Sequence, residues 1–183
     1  MEKYWNEAIS FDEYIKETEN RIQANDEKLH YYELGMQRMN RALKTFKISD
    51  EQVENFKAKG FNGKIFIISE PWCGDASAIV PVVSKFFETN GIEVKIFLRD
   101  NDPALINQFL TNGTQAIPKI LFLDSQLNVQ KVWGPRPKYG MELLKKFKEN
   151  PTEYPREAFY NDLQVYYAKN RGADTINEIL ELL

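Results

Sequence analysis

The segment KIFIISEPWCGDASAIVPV, residues 64 to 82, carries the clearest structural pattern of the sequence and contains the only cysteine of the chain, Cys73. Residues 65–68 form a continuous apolar run rich in β-branched side chains, which predicts a strand buried on both faces. Apolar residues then recur at helical spacing from Ile79 to Phe87, and Asn90-Gly91 should stop that helix. The sequence therefore predicts that Cys73 lies between the end of a buried strand and the start of a helix.

The residues that follow repeat this alternation of strand and helix. They predict a strand over 94–99, a helix that opens at Asp102-Pro103 and includes Phe109 and Leu110, strands over 120–123 and 129–133, and a helix around Leu143. Right-handed crossovers make the first two strands parallel, and a tight connection makes the last two antiparallel. The expected fold is therefore α/β, with the order β-α-β-α-β-β-α and a mixed four-stranded sheet.

Helical patterns dominate both ends of the chain. Residues 1–60 carry apolar stripes at spacings of three and four, with capping patterns at Ser10 and Ser49, and residues 151–183 predict two more helices. We therefore divide the chain into an N-terminal helical extension (1–60), a central domain (61–150) and a C-terminal helical extension (151–183). The stripes of the extensions are expected to pack on the chain's own core.

Composition excludes several classes of function. The net charge is −3 and the single cysteine leaves no internal disulfide and no cysteine-based zinc site. The acidic balance does not favour a nucleic-acid or membrane partner, and the first residues contain no apolar run typical of a signal peptide. We expect a cytoplasmic protein with no cofactor and no metal, in which the single histidine, His30, is a surface residue.

Cys73 is the candidate reactive group. Chemistry in open α/β sheets collects beyond the carboxyl ends of the parallel strands, which is where the order of elements places this thiol. Backbone N–H groups at a helix start would lower the pKa of the thiol. The carboxylates of Asp75 and Glu70 would raise it, so the residues alone leave the direction of the net shift open.

The motif around Cys73 resembles that of the thioredoxin superfamily. Trp72-Cys73-Gly74-Asp75-Ala76 looks like the Trp-Cys-x-x-Cys motif with its second cysteine replaced by alanine, and Pro81 matches the proline of the active-site helix. Ile117-Pro118 matches the cis-proline that faces the thiol in that fold. More narrowly, the chain is similar to bacterial thioredoxin-like proteins that combine Cys-Gly-Asp-x with a Trp-Gly-Pro-Arg-Pro loop, here residues 133–137.

The resemblance implies a redox site, but two parts of that site are missing. Ala76 cannot act as the resolving thiol, and Ile67 occupies the position of the buried acidic residue of thioredoxins. Arg99 and Arg136 are expected either to form a cationic rim or to make structural ion pairs. The candidate site consists of Cys73 as nucleophile and a substrate groove formed by Trp72, Gly74, Asp75, Ala76, Ile117, Pro118, Arg99, Trp133 and Arg136.

Three functions fit these residues. The first is monothiol thiol–disulfide exchange, in which Cys73 forms a mixed disulfide with a protein or a low-molecular-weight thiol. The second is a redox-inactive binding module for a protein or a small thiol ligand. The third, by analogy with monothiol glutaredoxins, is a cluster bridged between two chains by Cys73, and it ranks last because the glutathione-site pattern is missing.

Overall fold

The computed structural model describes residues 1–183. Its elements in chain order are α1 (Glu2–Glu7), α2 (Phe11–Gln23), α3 (Leu29–Thr45), α4 (Asp50–Lys59), β1 (Lys64–Ser69), α5 (Ala76–Thr89), β2 (Val94–Leu98), α6 (Pro103–Ile106), β3 (Lys119–Leu123), β4 (Val129–Trp133), α7 (Lys138–Glu149), α8 (Arg156–Asn170) and α9 (Ala173–Leu182). A short 3₁₀ turn, Arg99–Asn101, follows β2.

The four strands form one mixed sheet in the order β2-β1-β3-β4. Strand β1 pairs in parallel with β2 and antiparallel with β3, and β3 pairs antiparallel with β4. The predicted strand directions are thereby confirmed, and β1 lies inside the sheet between β2 and β3. With helices on both faces of this sheet, the topology is that of a thioredoxin-like fold.

Strand β1 is buried on both faces, as its continuous apolar run predicts. Its alternate side chains point to opposite sides of the sheet, because successive residues of a strand do so. Ile65 and Ile67 enter the larger core cluster, whereas Phe66 and Ile68 enter the smaller one. All four side chains are fully buried, so β1 fixes the two layers of the molecule.

Helix α1 was not predicted, and it covers the second face of the sheet. Trp5 is 6% exposed and packs in the smaller cluster beside Phe66. After α1, the chain pairs with the outer strand β2: Ile9 donates its N–H to the Ile96 carbonyl at 2.9 Å and accepts the Ile96 N–H at 2.7 Å. This pairing shields part of an edge that would otherwise present unpaired backbone groups.

Helix α6 is shorter than predicted, since it ends at Ile106 rather than continuing through Leu110. Its start is as expected, with the Asp102 side chain accepting the Ala104 N–H at 3.0 Å and proline at the first helical position. Beyond it, Asn112 and Gly113 adopt positive φ angles in a turn closed by Thr111 and Thr114. Leu110 is 44% exposed, so it has no core contact that would favour another helical turn.

The terminal helices pack onto the central sheet. The larger core cluster combines Phe11 and Met39 from the first segment with Ile179 and Leu180 from the last, all packed with residues of α5. One core therefore contains residues of all three predicted segments, and the boundaries at residues 60 and 150 stay predictions. No helix has both the length and the apolar surface that crossing a membrane requires.

Candidate functional site

Cys73 lies in the turn that connects β1 with α5. Its N–H donates to the Glu70 carbonyl and its own carbonyl accepts the Ser77 N–H, both at 3.1 Å. Helix α5 begins at Ala76, with Asp75 as its N-terminal flanking residue, and Pro81 lies inside it. The thiol therefore precedes the first turn of the helix, close to the backbone N–H groups that have no partner within the helix.

The thiol faces the segment that leads into β3. The Cys73 thiol donates to the Ile117 carbonyl oxygen at a distance of 3.5 Å, and the Ile117–Pro118 peptide bond is cis. A second cis bond, Gly134–Pro135, lies in the loop after β4. Gly134 lies against the Pro118 carbonyl and Arg136 pairs with Asp75, so the segments that carry Cys73, Pro118 and residues 133–137 meet at one site.

A cleft of about 930 Å³ opens above the thiol. Helices α3 and α8 form two of its walls, and the Cys73 turn and the Gln115–Ile117 segment form the others. The predicted groove residues that line it are Trp72, Gly74, Asp75, Arg99, Ile117 and Arg136. Because helices wall this space on two sides, it resembles a small-molecule site in size and shape more than an open surface groove.

Three predicted groove residues lie outside the lining of this cleft. Ala76 is fully buried in the core, and Pro118 is buried behind Ile117. Trp133 is 8% exposed and its indole N–H donates to Glu178 of α9 at 3.3 Å, so it packs between the sheet and the last helix. The surface residue His30 is exposed and does not line the cleft either.

Asp75 is held on both of its carboxylate oxygens. Arg136 contacts Oδ2 through Nε at 2.9 Å and Nη2 at 2.7 Å, and the Tyr167 hydroxyl donates to Oδ1 at 2.7 Å. The side chains of Asp75 and Arg136 are only 6% and 13% exposed. Nε donates a charge-assisted hydrogen bond to Oδ2, and Nη2 approaches the same oxygen as an ion pair. Arg136 therefore makes a structural ion pair at the base of the cleft.

The environment of Cys73 keeps its thiol protonated. Burial, followed by the Asp75 carboxylate, raises the pKa of Cys73 to about 12. The backbone N–H groups of Ala76 and Asp75, together with Arg136, lower this pKa, but their combined effect is smaller than that of burial and Asp75. The direction that the sequence left open is therefore upward, and Asp75 is the charged group responsible.

Glu70 is buried at the end of β1. It is 1% exposed, and its carboxylate accepts the Asp100 N–H at 2.7 Å. Burial raises the pKa of Glu70 to about 6. Ile67, the residue at the position of the thioredoxin acid, belongs entirely to the hydrophobic core.

Trp72 forms one side of the cleft between two cations. The Arg99 guanidinium carbon lies 4.9 Å and the Lys28 ammonium 5.0 Å from the centre of its ring. Its indole N–H donates to Asp100 at 3.3 Å, and Asp100 also pairs with Arg99 at 2.7 Å. These cation–π contacts hold positive charge along this side of the cleft.

Sequence patterns missed the contribution of the terminal helices to the site. The Gln164 side-chain amide of α8 donates to the Gly74 carbonyl at 3.3 Å, and Arg38 of α3 also lies against Gly74. A Cβ at position 74 would lie 3.2 Å from Arg38 Nη1, so glycine leaves the room that this arginine occupies. Periodicity predicts the apolar stripe of each helix, but it does not say which polar residue reaches a distant loop.

Comparisons with known proteins agree with this architecture. Two solved structures are similar in fold, and at these identities they indicate the fold alone. The first, a Pseudomonas aeruginosa protein of unknown function, is 16% identical with a TM-score of 0.55, covering 81% of this chain and 83% of that one. The second, a scaffold carrying an HIV epitope, is 14% identical with a TM-score of 0.58, covering 98% and 94%. No curated protein sequence matches the chain.

The family comparison identifies the chain more directly. A family model described as thioredoxin matches residues 22–148, which is more than half of the sequence. The match includes the Cys73 turn, the Ile117–Pro118 segment and helix α3, whose residues line the cleft. With the sheet topology described above, it follows that the chain belongs to this thioredoxin family.

Proposed function

We propose that this protein is a monothiol member of the thioredoxin family that undergoes thiol–disulfide exchange at Cys73 and holds the resulting mixed disulfide. One observation carries the proposal: the only thiol of the chain lines a walled cleft and faces the Ile117 carbonyl at 3.5 Å. A disulfide in this cleft would lie beside the backbone of Ile117, which is the contact expected of an extended substrate.

The reaction balances without any cofactor. Cys73 loses its proton to solvent, and its sulfur attacks one sulfur of a disulfide R–S–S–R. The bond between the two substrate sulfurs breaks, a bond between Cys73 and one R–S group forms, and the other leaves as a thiolate that takes up a proton. The disulfide is the oxidant, and a second thiol from solution or a partner is needed to release R–S.

The raised pKa makes this exchange slow in both directions. At pH 7 a thiol with a pKa of about 12 is ionised in about one molecule in 10⁵, against about one in 30 for an ordinary cysteine. The greater nucleophilicity of a more basic thiolate recovers part of this loss, which leaves the reaction about a hundredfold slower. A thiolate of high pKa is also a poor leaving group, which favours a long-lived adduct.

Two sequence features of the narrower resemblance take part in the same site. Arg136, from the Trp-Gly-Pro-Arg-Pro loop, pairs with Asp75, from the Cys-Gly-Asp-x motif. This pair supports the proposal that the chain is one of the bacterial, cytoplasmic thioredoxin-like proteins that carry both features. It also supports the view that this loop fixes Asp75, whose carboxylate lies beside the Cys73 thiol.

A second candidate, a redox-inactive binding module, is favoured by the protonated state of Cys73. Burial and Asp75 both oppose the thiolate, while the cleft itself is large enough for a ligand. In this alternative Cys73 contributes only a small side chain to the floor of the cleft.

Mass spectrometry after incubation with 2-hydroxyethyl disulfide separates the two candidates. We expect one adduct per chain, forming faster as the pH is raised from 7 to 10, and none in Cys73→Ser. Because the chain has no other cysteine, this variant is a complete control. Absence of any adduct at pH 10 would leave only the binding module.

An insulin reduction assay tests the missing resolving thiol. The wild-type chain should not catalyse disulfide reduction with dithiol kinetics, since Ala76 stands where a second cysteine would resolve the adduct. Ala76→Cys should form a bridge with Cys73 and gain measurable activity. Two thiols that never pair in this variant would show that the turn before α5 does not have the required geometry.

A further inference from the structure

The cleft above Cys73 is positively charged in a protein whose net charge is −3. Five cationic side chains line it, those of Lys28, Arg38, Arg99, Arg136 and Arg156, whereas the only carboxylates are Asp75 and Glu157. Asp75 is paired with Arg136. The cations that line the cleft outnumber the carboxylates, so the cleft favours an anion although the chain as a whole is acidic.

Arg38 is a cation of this cleft that has no anionic partner. It makes no hydrogen bond and no ion pair in the structure, although it is half-buried between α3 and the Gly74 backbone. Arg99 pairs with Asp100, and Arg136 pairs with Asp75. A guanidinium removed from water without a partner is unfavourable, and a carboxylate of a ligand would satisfy it with two parallel hydrogen bonds.

The electrostatics around Arg38 support the same reading. Burial and the neighbouring Arg41 lower the pKa of the Arg38 guanidinium, while Asp75, the carboxylate that acts in the opposite direction, is engaged by other residues. An added anion at this point would relieve the repulsion between the two arginines. Arg38 is also adjacent to Gly74, so an anion bound to it would lie one residue from the thiol.

We propose that the cleft binds low-molecular-weight molecules that carry a carboxylate, seated on Arg38, and that its exchange substrate is a small disulfide of this class. The disulfide part rests on the exchange proposed for Cys73, whereas the anion site does not. A carboxylate on Arg38 would hold the ligand between α3 and α8, with its sulfur towards Cys73 and Ile117. Helices from both ends of the chain thus determine which substrate reaches the thiol.

Three symmetrical disulfides, one negatively charged, one neutral and one positively charged, test the substrate class. These are 3,3′-dithiodipropionate with two carboxylates, 2-hydroxyethyl disulfide with none, and cystamine with two ammonium groups. Each rate of adduct formation is divided by the rate with free 2-mercaptoethanol, which removes differences in intrinsic reactivity. We expect the dicarboxylate to react about tenfold faster than the neutral compound, as one charge-assisted contact allows, and cystamine to react slowest.

Arg38→Gln should abolish this preference, whereas Arg41→Gln should keep it. Arg41 is exposed on the same helix and does not line the cleft. The control therefore removes one positive charge from α3 without changing the lining of the cleft. Equal normalised rates for the three disulfides would overturn the proposed substrate class and leave the exchange itself standing.

Binding of suberate to the Cys73→Ser variant tests the anion site without any thiol chemistry. Suberate is a dicarboxylate with the same number of backbone atoms as 3,3′-dithiodipropionate but no sulfur. We expect saturable binding by calorimetry, weakened about tenfold by Arg38→Gln and not by Arg41→Gln. If suberate binds but no disulfide forms an adduct with Cys73 in the wild-type chain, the anion site is upheld and the exchange is refuted. If suberate does not bind, the anion site is refuted.

Discussion

Asp75 is the residue through which distant parts of the fold affect the pKa of the Cys73 thiol. Its carboxylate is fixed by Arg136 from the loop after β4 and by Tyr167 from α8, so two separate elements hold a negative charge beside Cys73. A mobile carboxylate could turn to water, but this one cannot. The raised pKa of Cys73 is therefore a consequence of architecture as well as of burial.

Asp75→Asn should lower the pKa of Cys73. Asparagine retains an oxygen acceptor for Tyr167, and Arg136 then acts on the thiolate without an opposing carboxylate. Each pKa unit lost should raise the rate of iodoacetamide alkylation at pH 7 about threefold to fourfold, because part of the gain in thiolate is offset by lower nucleophilicity. The pH profile of alkylation measures the shift.

Asp100→Asn is the matched control for this substitution. Asp100 is a nearby carboxylate that is 45% exposed and pairs with Arg99, and it is not among the main causes of the raised pKa of Cys73. Its variant should alkylate with the wild-type pH profile. An unchanged profile for Asp75→Asn would mean that burial alone keeps the thiol protonated.

Glu70→Gln should alter how stability depends on pH. Burial raises the folded pKa of Glu70 from 4.5 to about 6, so the folded state binds the proton more tightly than the unfolded state. The stabilisation by the protonated form is present below about pH 4.5 and is lost as the pH rises through 6. Relative to Glu70→Gln, the wild-type free energy of unfolding should fall by about 2 kcal/mol between pH 4 and pH 7.5.

Urea titrations of both proteins at several pH values measure this difference. Glutamine can still accept the Asp100 N–H, so the comparison isolates the charge. A difference that does not change between pH 4 and pH 7.5 would show that Glu70 has an ordinary pKa in the folded protein.

The loop between β4 and α7 depends on a close approach of two backbones. Gly134 has a φ of 112°, and a Cβ there would lie 2.4 Å from the Pro118 carbonyl oxygen. No side chain fits at that distance, so glycine is required for this loop to lie against the start of β3. The same loop carries Arg136 to Asp75.

Gly134→Ala should therefore destabilise the protein by about 3 kcal/mol or more, because a positive φ costs about 1–2 kcal/mol and the collision adds to it. Gly113→Ala separates the two effects, since Gly113 also has a positive φ, 74°, but no atom lies within 4 Å of a Cβ there. The control should lose about 1–2 kcal/mol in urea unfolding. Equal losses for the two variants would mean that the loop is free to move away from Pro118.

The central elements were predictable because local patterns determine them. The run at 65–68, the Asp102 cap and the alternation after Glu93 describe strands and helices whose residues interact with near neighbours. The length of α6 was not predictable, since Phe109 packs against the core from outside the helix and Leu110, despite its helical spacing, is exposed. Helix α1 was missed because its single buried residue, Trp5, gives no periodic stripe.

The candidate site was predictable only in its central part. The motifs in the sequence contain Trp72, Cys73 and Arg136. The site also contains Arg38, Gln164 and Tyr167, which reach it from helices of the predicted terminal extensions. Their place depends on how α3 and α8 dock, which is set by the whole core. Docking of this kind depends on contacts between distant segments, so it produces no periodic pattern of residues in the sequence.

At the scale of the whole molecule, the terminal helices are part of one core. Ile176, Ile179 and Leu180 of α9 are buried in the same cluster as Phe86 of α5 and Phe56 of α4. Helix α9 also holds Trp133 of β4 through Glu178. These contacts predict that the chain unfolds as a single unit rather than losing its ends first.

Ile179→Ala tests this prediction. Ile179 is fully buried, so the loss of its side chain should cost about 2–5 kcal/mol through lost burial and the cavity left behind. The far-UV circular dichroism signal should move to lower urea together with the fluorescence of Trp5, in a background in which Trp72 and Trp133 are changed to Phe. Trp5 lies on the opposite face of the sheet from α9, so a common shift means that both faces unfold together.

Val165→Ala on α8 serves as the control, because Val165 is 43% exposed and its replacement removes no core contact. This variant should keep the wild-type midpoint, since exposed substitutions usually change stability by no more than about 0.5 kcal/mol. If Ile179→Ala instead loses part of its helical signal at low urea while Trp5 keeps its native midpoint, α9 folds separately from the sheet.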